Sequence, residues 1–183
     1  MKNSQFKKSI IPNLLTFFRI LLVPLFVGVF ISSIKFHREI SAIIFIISSI
    51  TDFLDGYIAR KYKSETDMGR ILDPLADKIL VISALILLAI KKDIPIWILE
   101  ALFLRELILI IGSALIIKRE EKIICPSIWG KLATVFIFIG ISGILLRIWI
   151  TRYFLYIGVV ISLVSGIDYI LKGIKVLRNS DGR

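Results

Sequence analysis

Six long apolar segments, separated by short polar connectors, constrain the fold of this chain more than any other feature. They cover roughly residues 12–34, 39–61, 70–90, 94–117, 128–149 and 153–176. Each is long enough to cross a hydrocarbon layer of about 30 Å at about 1.5 Å per residue. None shows the period-two alternation of a strand, and an open sheet cannot face lipid. The sequence therefore predicts an all-α, polytopic membrane protein, a bundle of six transmembrane helices.

Composition supports a membrane protein with one domain. The hydrophobic fraction is 57% and the mean hydropathy is +0.87, whereas soluble domains are nearer half apolar with about a quarter of their residues charged. A length of 183 residues fits a single domain over residues 1–183. The lone Cys125 excludes an intrachain disulfide, so nothing indicates an oxidising compartment.

The net charge of +10 lies in short clusters between the apolar segments. Such clusters disfavour a nucleic-acid partner and favour a membrane topology. With the N-terminus in the cytoplasm, 14 Lys and Arg residues flank the inner ends of the segments and six flank the outer ends. The positive-inside rule then places both termini and the 61–66 connector on the cytoplasmic side of the cell membrane. We expect residues 2–11 to form a short interfacial helix before the first span. The first span itself is expected to be retained rather than cleaved, because no signal-cleavage site follows Lys7 and Lys8.

Four aspartates carry the clearest chemical signal. Their spacing reads Asp52-x2-Asp55-Gly56-x2-Ala59-Arg60-x8-Gly69-x3-Asp73-x3-Asp77. Carboxylates are costly near a bilayer core and persist there when they bind something positive. Two pairs of carboxylates suit two divalent cations, which can hold and split a pyrophosphate. The hard oxygen ligands favour Mg2+, with Mn2+ as a substitute. The sequence therefore predicts a metal-dependent phosphate-transfer enzyme.

This spacing resembles the signature of the CDP-alcohol phosphatidyltransferases at all eight fixed positions. Further similarity, covering most of the chain, is to the branch that uses glycerol 3-phosphate. It lies in Asn13-x2-Thr16-x2-Arg19, Leu72-Asp73-Pro74-Leu75-Ala76-Asp77-Lys78, Arg105-Glu106 and Gly130-Lys131. The resemblance implies transfer of a phosphatidyl group from CDP-diacylglycerol to glycerol 3-phosphate, with release of CMP. Because the family is commonly dimeric, it also implies a homodimer as one expectation.

The same resemblance implies roles for individual residues. Asp52, Asp55 and Asp73 would be chiefly metal ligands, and Asp77 would be the general base and a further ligand of the second metal. The CDP-diacylglycerol site would be formed by the following residues: Gly56, Arg60 and Thr66, with Asn13 and Thr16 contributing. The proline of the third segment, Pro74, is expected in the first turn of its helix because it lacks an N–H.

Arg105 lies near the middle of the fourth segment, where an unpaired cation is costly. One interpretation is an ion pair with Asp168 in the sixth segment, because the neighbouring Glu106 points about 100° away. The other, which we favour, is a pocket for the acceptor phosphate at the start of the fifth helix. Its members would be Arg105, Arg119, Ser127 and Lys131.

Two alternatives remain open from the sequence. A cardiolipin synthase of the same family would use phosphatidylglycerol as the acceptor, and the residues after Arg105 also resemble that branch. A non-catalytic divalent-cation transporter would keep acidic residues within the membrane. It would not need Gly56, Arg60 and Gly69 at fixed spacing, and a metal-dependent release of CMP separates it from an enzyme.

Overall fold

A computed structural model of the chain describes the backbone of residues 21–62, 67–120 and 128–180, and the side chains of residues 21–51, 78–110 and 128–173. Six helices and no strand occur in these backbone ranges, which confirms the all-α prediction there. The helices are α1 (Leu21–Ile31), α2 (His37–Tyr62), α3 (Asp67–Ile90), α4 (Ile96–Glu120), α5 (Ile128–Leu145) and α6 (Thr151–Ser180). The predicted interfacial helix at residues 2–11 lies outside the described residues.

The end of α5 differs from the prediction, which extended this helix to residue 149. The N–H of Ile148 donates to the carbonyl of Gly143 at 2.8 Å, and the N–H of Arg147 donates to Ile144 at 3.0 Å. Arg147 has a φ of 60°. These two bonds and the left-handed residue form a Schellman cap, which closes the helix at Leu145. Hydropathy did not reveal this end because the residues after the cap are also apolar.

Residue contacts divide the chain into two compact units, Met1–Lys91 and Lys92–Arg183. In the first unit, buried aromatic rings join α1 to α2. Phe26 lies 6.1 Å from Phe30 and 6.0 Å from Phe45, measured between ring centroids. Both α1 rings and Phe45 are fully buried. The α2 helix also contacts α3. The predicted single domain over residues 1–183 stays a prediction.

In the second unit, α5 and α6 form a closely packed hairpin. A Cβ built at Gly140 would lie 2.7 Å from the Cα of Leu155, and one built at Gly143 would lie 2.2 Å from Cγ2 of Thr151. Gly158 of α6 approaches the backbone of Ile137 in the same way. Small residues of this kind let two helix backbones approach closely, as is common between membrane helices. The hairpin therefore depends on these glycines.

The outer face of α6 is apolar as well as its buried face. Ile157, Val160, Val164, Ile167 and Leu171 follow helical spacing and are all exposed. A helix that is apolar all round belongs in a protein core or in a membrane. Because this face lies on the surface of the chain, lipid is the environment that it fits.

Two helices of the described residues are long and apolar enough to cross a membrane, Ile128–Leu145 and Thr151–Gly173. Length and composition alone would also admit the core helix of a soluble protein. The exposed apolar face of α6 adds the observation that favours membrane association. Six spans go beyond this finding and stay a prediction.

Candidate functional site

The buried face of α2 leads to the first aspartate pair. Ser41, Phe45 and Ser48 are fully buried and follow spacings of four and three residues. The same helical spacing continues from Ser48 to Asp52 and then to Asp55, within the same helix. The two aspartate positions therefore extend the face by which α2 packs into its unit. Their side chains lie outside those that the structure describes.

The buried face of α3 leads to the second pair in the same manner. Leu80, Ala84 and Leu88 are fully buried. Counting back from Leu80 by three and then four residues reaches Asp77 and Asp73, both within α3. The helix starts at Asp67, so Pro74 is an interior residue, and its predicted place in the first turn is wrong. Pro74 has no N–H to donate to the carbonyl of Arg70, which locally weakens the helix beside Asp73.

The two faces can meet because α2 contacts α3 and only four residues separate the helices. Contacting helices with so short a connection run antiparallel. The aspartate pairs lie in the second half of α2 and the first half of α3, so both are toward the connector end. A set of four carboxylates at this end has the ligand type and number that divalent cations require.

This donor set fits a divalent metal better than any other group. Four carboxylates that continue two otherwise buried faces would be costly to ionise without a compensating cation. Among the residues with described side chains, no group of three or more His, Cys, Asp or Glu forms a metal site. The aspartates themselves lie outside those residues, and their role as metal ligands stays a prediction.

The residues predicted to bind CDP-diacylglycerol are only partly described. Gly56 and Arg60 lie in α2, one turn apart and within eight residues of Asp52. Three further residues lie outside the described residues: Asn13, Thr16 and Thr66. The structure thus brings Gly56 and Arg60 to the helix that carries the first aspartate pair.

Arg105 has an environment that sequence reasoning did not predict. Its side chain is 17% exposed and forms an ion pair through Nη1 with Oε1 of Glu106. The expectation that Glu106 points away from Arg105 is wrong, because this ion pair joins the two adjacent side chains. Asp168, the partner considered from the sequence, pairs instead with Lys172 at 2.6 Å, one turn along α6.

The guanidinium of Arg105 has a buried donor that is not used. Its Nε is buried and has no hydrogen-bond partner. Leaving such a group unpaired costs about 1–3 kcal/mol of free energy, and an acceptor atom that bonded to this Nε would remove that cost. Its aliphatic stem packs on α6, where a Cβ at Gly166 would lie 3.3 Å from Cγ. The sequence did not indicate a role for Gly166, because its contact with Arg105 depends on how α4 packs against α6.

The other predicted acceptor residues lie around the start of α5. Lys131 is exposed in its first turn. Arg119 lies in the last turn of α4, with its side chain outside the described set, and Ser127 lies outside the described residues. No described hydrogen bond or ion pair joins Arg105 to Lys131 among the side chains of residues 78–110 and 128–173. Their shared pocket stays a prediction.

Comparison with known proteins identifies a family. The model of the CDP-alcohol phosphatidyltransferase family matches residues 9–164. Three curated relatives are named CDP-diacylglycerol–glycerol-3-phosphate 3-phosphatidyltransferase. The relative from Haemophilus influenzae is 36% identical, covering 87% of this chain and 91% of its own. The relative from Bacillus subtilis is 32% identical, covering 93% of this chain and 98% of its own. The relative from Aquifex aeolicus is 36% identical, covering 91% of this chain and 97% of its own.

Proposed function

This chain belongs to the CDP-alcohol phosphatidyltransferase family, and we propose that it transfers a phosphatidyl group from CDP-diacylglycerol to glycerol 3-phosphate. The products are phosphatidylglycerol phosphate and CMP. The observation that carries the proposal is the continuation of two buried helix faces into Asp52/Asp55 and Asp73/Asp77. Relatives that match over most of their length and bear the name of this transferase support the choice of substrates.

Enzymes of this family generally depend on a divalent metal. We assign two Mg2+ ions, with Mn2+ as a substitute, to the four aspartates. When bound, the ions would neutralise the pyrophosphate of CDP-diacylglycerol and stabilise charge that develops on its oxygens. The residues themselves supply the remaining steps.

The reaction is a displacement at the lipid-side phosphorus. Asp77 takes the proton from the attacking hydroxyl of glycerol 3-phosphate, a contribution that is typically about 10²–10⁴-fold. The new bond joins this hydroxyl oxygen to phosphorus as the bond from phosphorus to the CMP oxygen breaks. Arg60 binds phosphate oxygens of the departing CMP in a bidentate fork, which a lysine cannot match. Gly56 lets the nucleotide approach the backbone of α2.

The acceptor phosphate is bound by basic residues. Lys131 and Arg119 supply charge near the start of α5, with the hydroxyl of Ser127, and Arg105 offers its unused Nε. Glycerol 3-phosphate carries a terminal dianion, which such a pocket favours over the monoanionic diester of phosphatidylglycerol.

The membrane placement follows from the same assignment. The proposal includes six spans in the cell membrane, both termini and the active site on the cytoplasmic side, and a homodimer. Topology can be read from single cysteines placed at the connectors of a Cys125→Ser variant. A membrane-impermeant thiol reagent should label the 61–66 connector only from the cytoplasmic side, and the 91–95 connector only from the outside.

The experiment that tests the function is an acceptor panel with labelled CDP-diacylglycerol. Purified protein should form labelled phosphatidylglycerol phosphate from glycerol 3-phosphate, and chelation of divalent cations should stop the reaction. Formation of cardiolipin from phosphatidylglycerol, without use of glycerol 3-phosphate, would replace the proposal with the cardiolipin synthase. Absence of CMP release with every acceptor would favour a non-catalytic role.

A further inference from the structure

Ser48 in α2 has a buried hydroxyl with no partner. Its side chain is 0% exposed, and its Oγ forms no hydrogen bond. Other hydroxyls of the described part of α2 bond to the carbonyl four residues earlier: Ser41 to His37 at 2.6 Å, Ser49 to Phe45 at 2.9 Å and Thr51 to Ile47 at 2.7 Å. Ser48 does not use this local bond. Its hydroxyl is therefore available to a group elsewhere.

The position of Ser48 indicates which group this is. Ser48 precedes Asp52 by four residues in one continuous helix, so the two positions are neighbours on one face. The face is the buried one, because Ser41 and Phe45 precede Ser48 on it and are fully buried. A buried hydroxyl tends to find an acceptor, and a carboxylate one turn away is within its reach.

We propose that Ser48 is a positioning residue for Asp52: in the metal-bound protein its hydroxyl, which has no partner in this structure, donates a hydrogen bond to the Asp52 carboxylate and orients that carboxylate toward the divalent metal. The inference rests on the proposed function, in which Asp52 is a metal ligand. A carboxylate has two oxygens with several acceptor positions, so one can accept from Ser48 while others face the cation. Hydrogen bonds to a ligating carboxylate restrict its orientation, and their loss typically weakens metal binding about 10–100-fold.

The test is Mn2+ binding to the full-length protein in detergent, measured from the electron paramagnetic resonance signal of free Mn2+. Ser48→Ala should weaken Mn2+ binding about 10–100-fold, while Ser48→Thr, which keeps the hydroxyl, should retain most of the affinity. The melting temperature of the metal-free protein should not fall in Ser48→Ala, because the substitution removes an unpaired polar atom.

Ser142→Ala is the matched control. Ser142 also has a buried hydroxyl without a partner, but it lies in α5, and its removal should leave Mn2+ affinity unchanged. In an Asp52→Asn background, Ser48→Ala should produce no further loss, because the two residues act through one contact. If the extra methyl group of Ser48→Thr prevents folding, this double variant tests the proposed contact between Ser48 and Asp52 instead.

Wild-type affinity in Ser48→Ala, an equal loss in Ser142→Ala, or additive losses in the double variant would overturn the inference. Wild-type protein that binds no Mn2+ would overturn it together with the metal site. The proposed function is tested separately by the acceptor panel. If wild-type protein binds Mn2+ and Ser48→Ala weakens binding, but glycerol 3-phosphate is not used, the function fails and the role of Ser48 stands.

Discussion

Gly166 of α6 leaves the space into which the stem of Arg105 packs from α4. A Cβ at position 166 would lie 3.3 Å from Cγ of Arg105, closer than most such contacts allow. The same arginine is held at its other end by Glu106. The Arg105 side chain is thus held by contacts with two helices, with α6 at Gly166 and with its own helix α4 at Glu106.

We predict that Gly166→Val raises the KM for glycerol 3-phosphate, because the added side chain displaces Arg105 from the acceptor phosphate. A misplacement approaching 1 Å can cost up to about 10²-fold, so an increase on the order of tenfold is expected. The KM for CDP-diacylglycerol should change much less. Gly28→Val is the control, since a Cβ at Gly28 has no neighbour within 4 Å. Equal changes in both KM values would argue against a specific effect through Arg105.

Asp55→Asn and Asp73→Asn should each abolish turnover, because each removes a charge from the proposed metal site while nearly preserving shape. The measurement is CMP release by folded, purified protein at saturating Mg2+. Asp168→Asn makes the same substitution at an exposed carboxylate that pairs with Lys172. Exposed pairs contribute about 0.2–1 kcal/mol, so this control should remain active. Near-normal turnover in Asp55→Asn or Asp73→Asn would remove the two-metal assignment.

Asp77→Asn should slow the chemical step while CDP-diacylglycerol still binds. The proposed base acts only in the transition state, so its removal lowers kcat more than it changes substrate affinity. Single-turnover CMP release and direct binding of CDP-diacylglycerol measure the two effects, and a rate loss of about 10²–10⁴-fold is expected. If binding collapses and bound substrate reacts at the wild-type rate, Asp77 is a ligand and another group is the base.

Lys131→Ala should raise the KM for glycerol 3-phosphate far more than that for CDP-diacylglycerol. Loss of one charge-assisted phosphate contact costs on the order of 1.5–3 kcal/mol, roughly ten- to a hundredfold. Lys91→Ala removes an exposed lysine from the turn after α3 and should leave both KM values unchanged. A parallel rise of both values in Lys131→Ala would show that Lys131 does not distinguish the acceptor.

Gly140→Ala should destabilise the α5–α6 hairpin. The new Cβ would lie 2.6 Å from Cβ of Leu155 and 2.7 Å from its backbone N and Cα, and backbone atoms cannot move away without separating the helices. Overpacking of this kind costs about 1–3 kcal/mol. Gly28→Ala, with open space around it, should instead stabilise α1 by about 0.5–1 kcal/mol. Thermal unfolding in detergent compares them, and equal melting temperatures would contradict the close approach of α5 and α6.

The pattern of residues along the chain was sufficient to predict much of the fold. Apolar runs predicted all six helices because side-chain hydropathy is fixed by residue type and helix periodicity is regular. Spacing also located Asp52, Asp55, Asp73 and Asp77 on two helices that the structure finds in contact. The end of α5 was not predictable in this way. It depends on a cap at Arg147, a residue type that seldom adopts a left-handed conformation.

By itself, the sequence determined the helix order and the spacing of the four aspartates, both of which depend on residues close together along the chain. Only the tertiary structure decided that the aspartate positions continue buried faces, that Arg105 pairs with Glu106 rather than Asp168, and that Gly166 receives its stem. The tertiary structure likewise left the hydroxyl of Ser48 without a partner. Such choices depend on which side chains packing brings within a few ångströms, and residue spacing along one helix does not specify its neighbours on another.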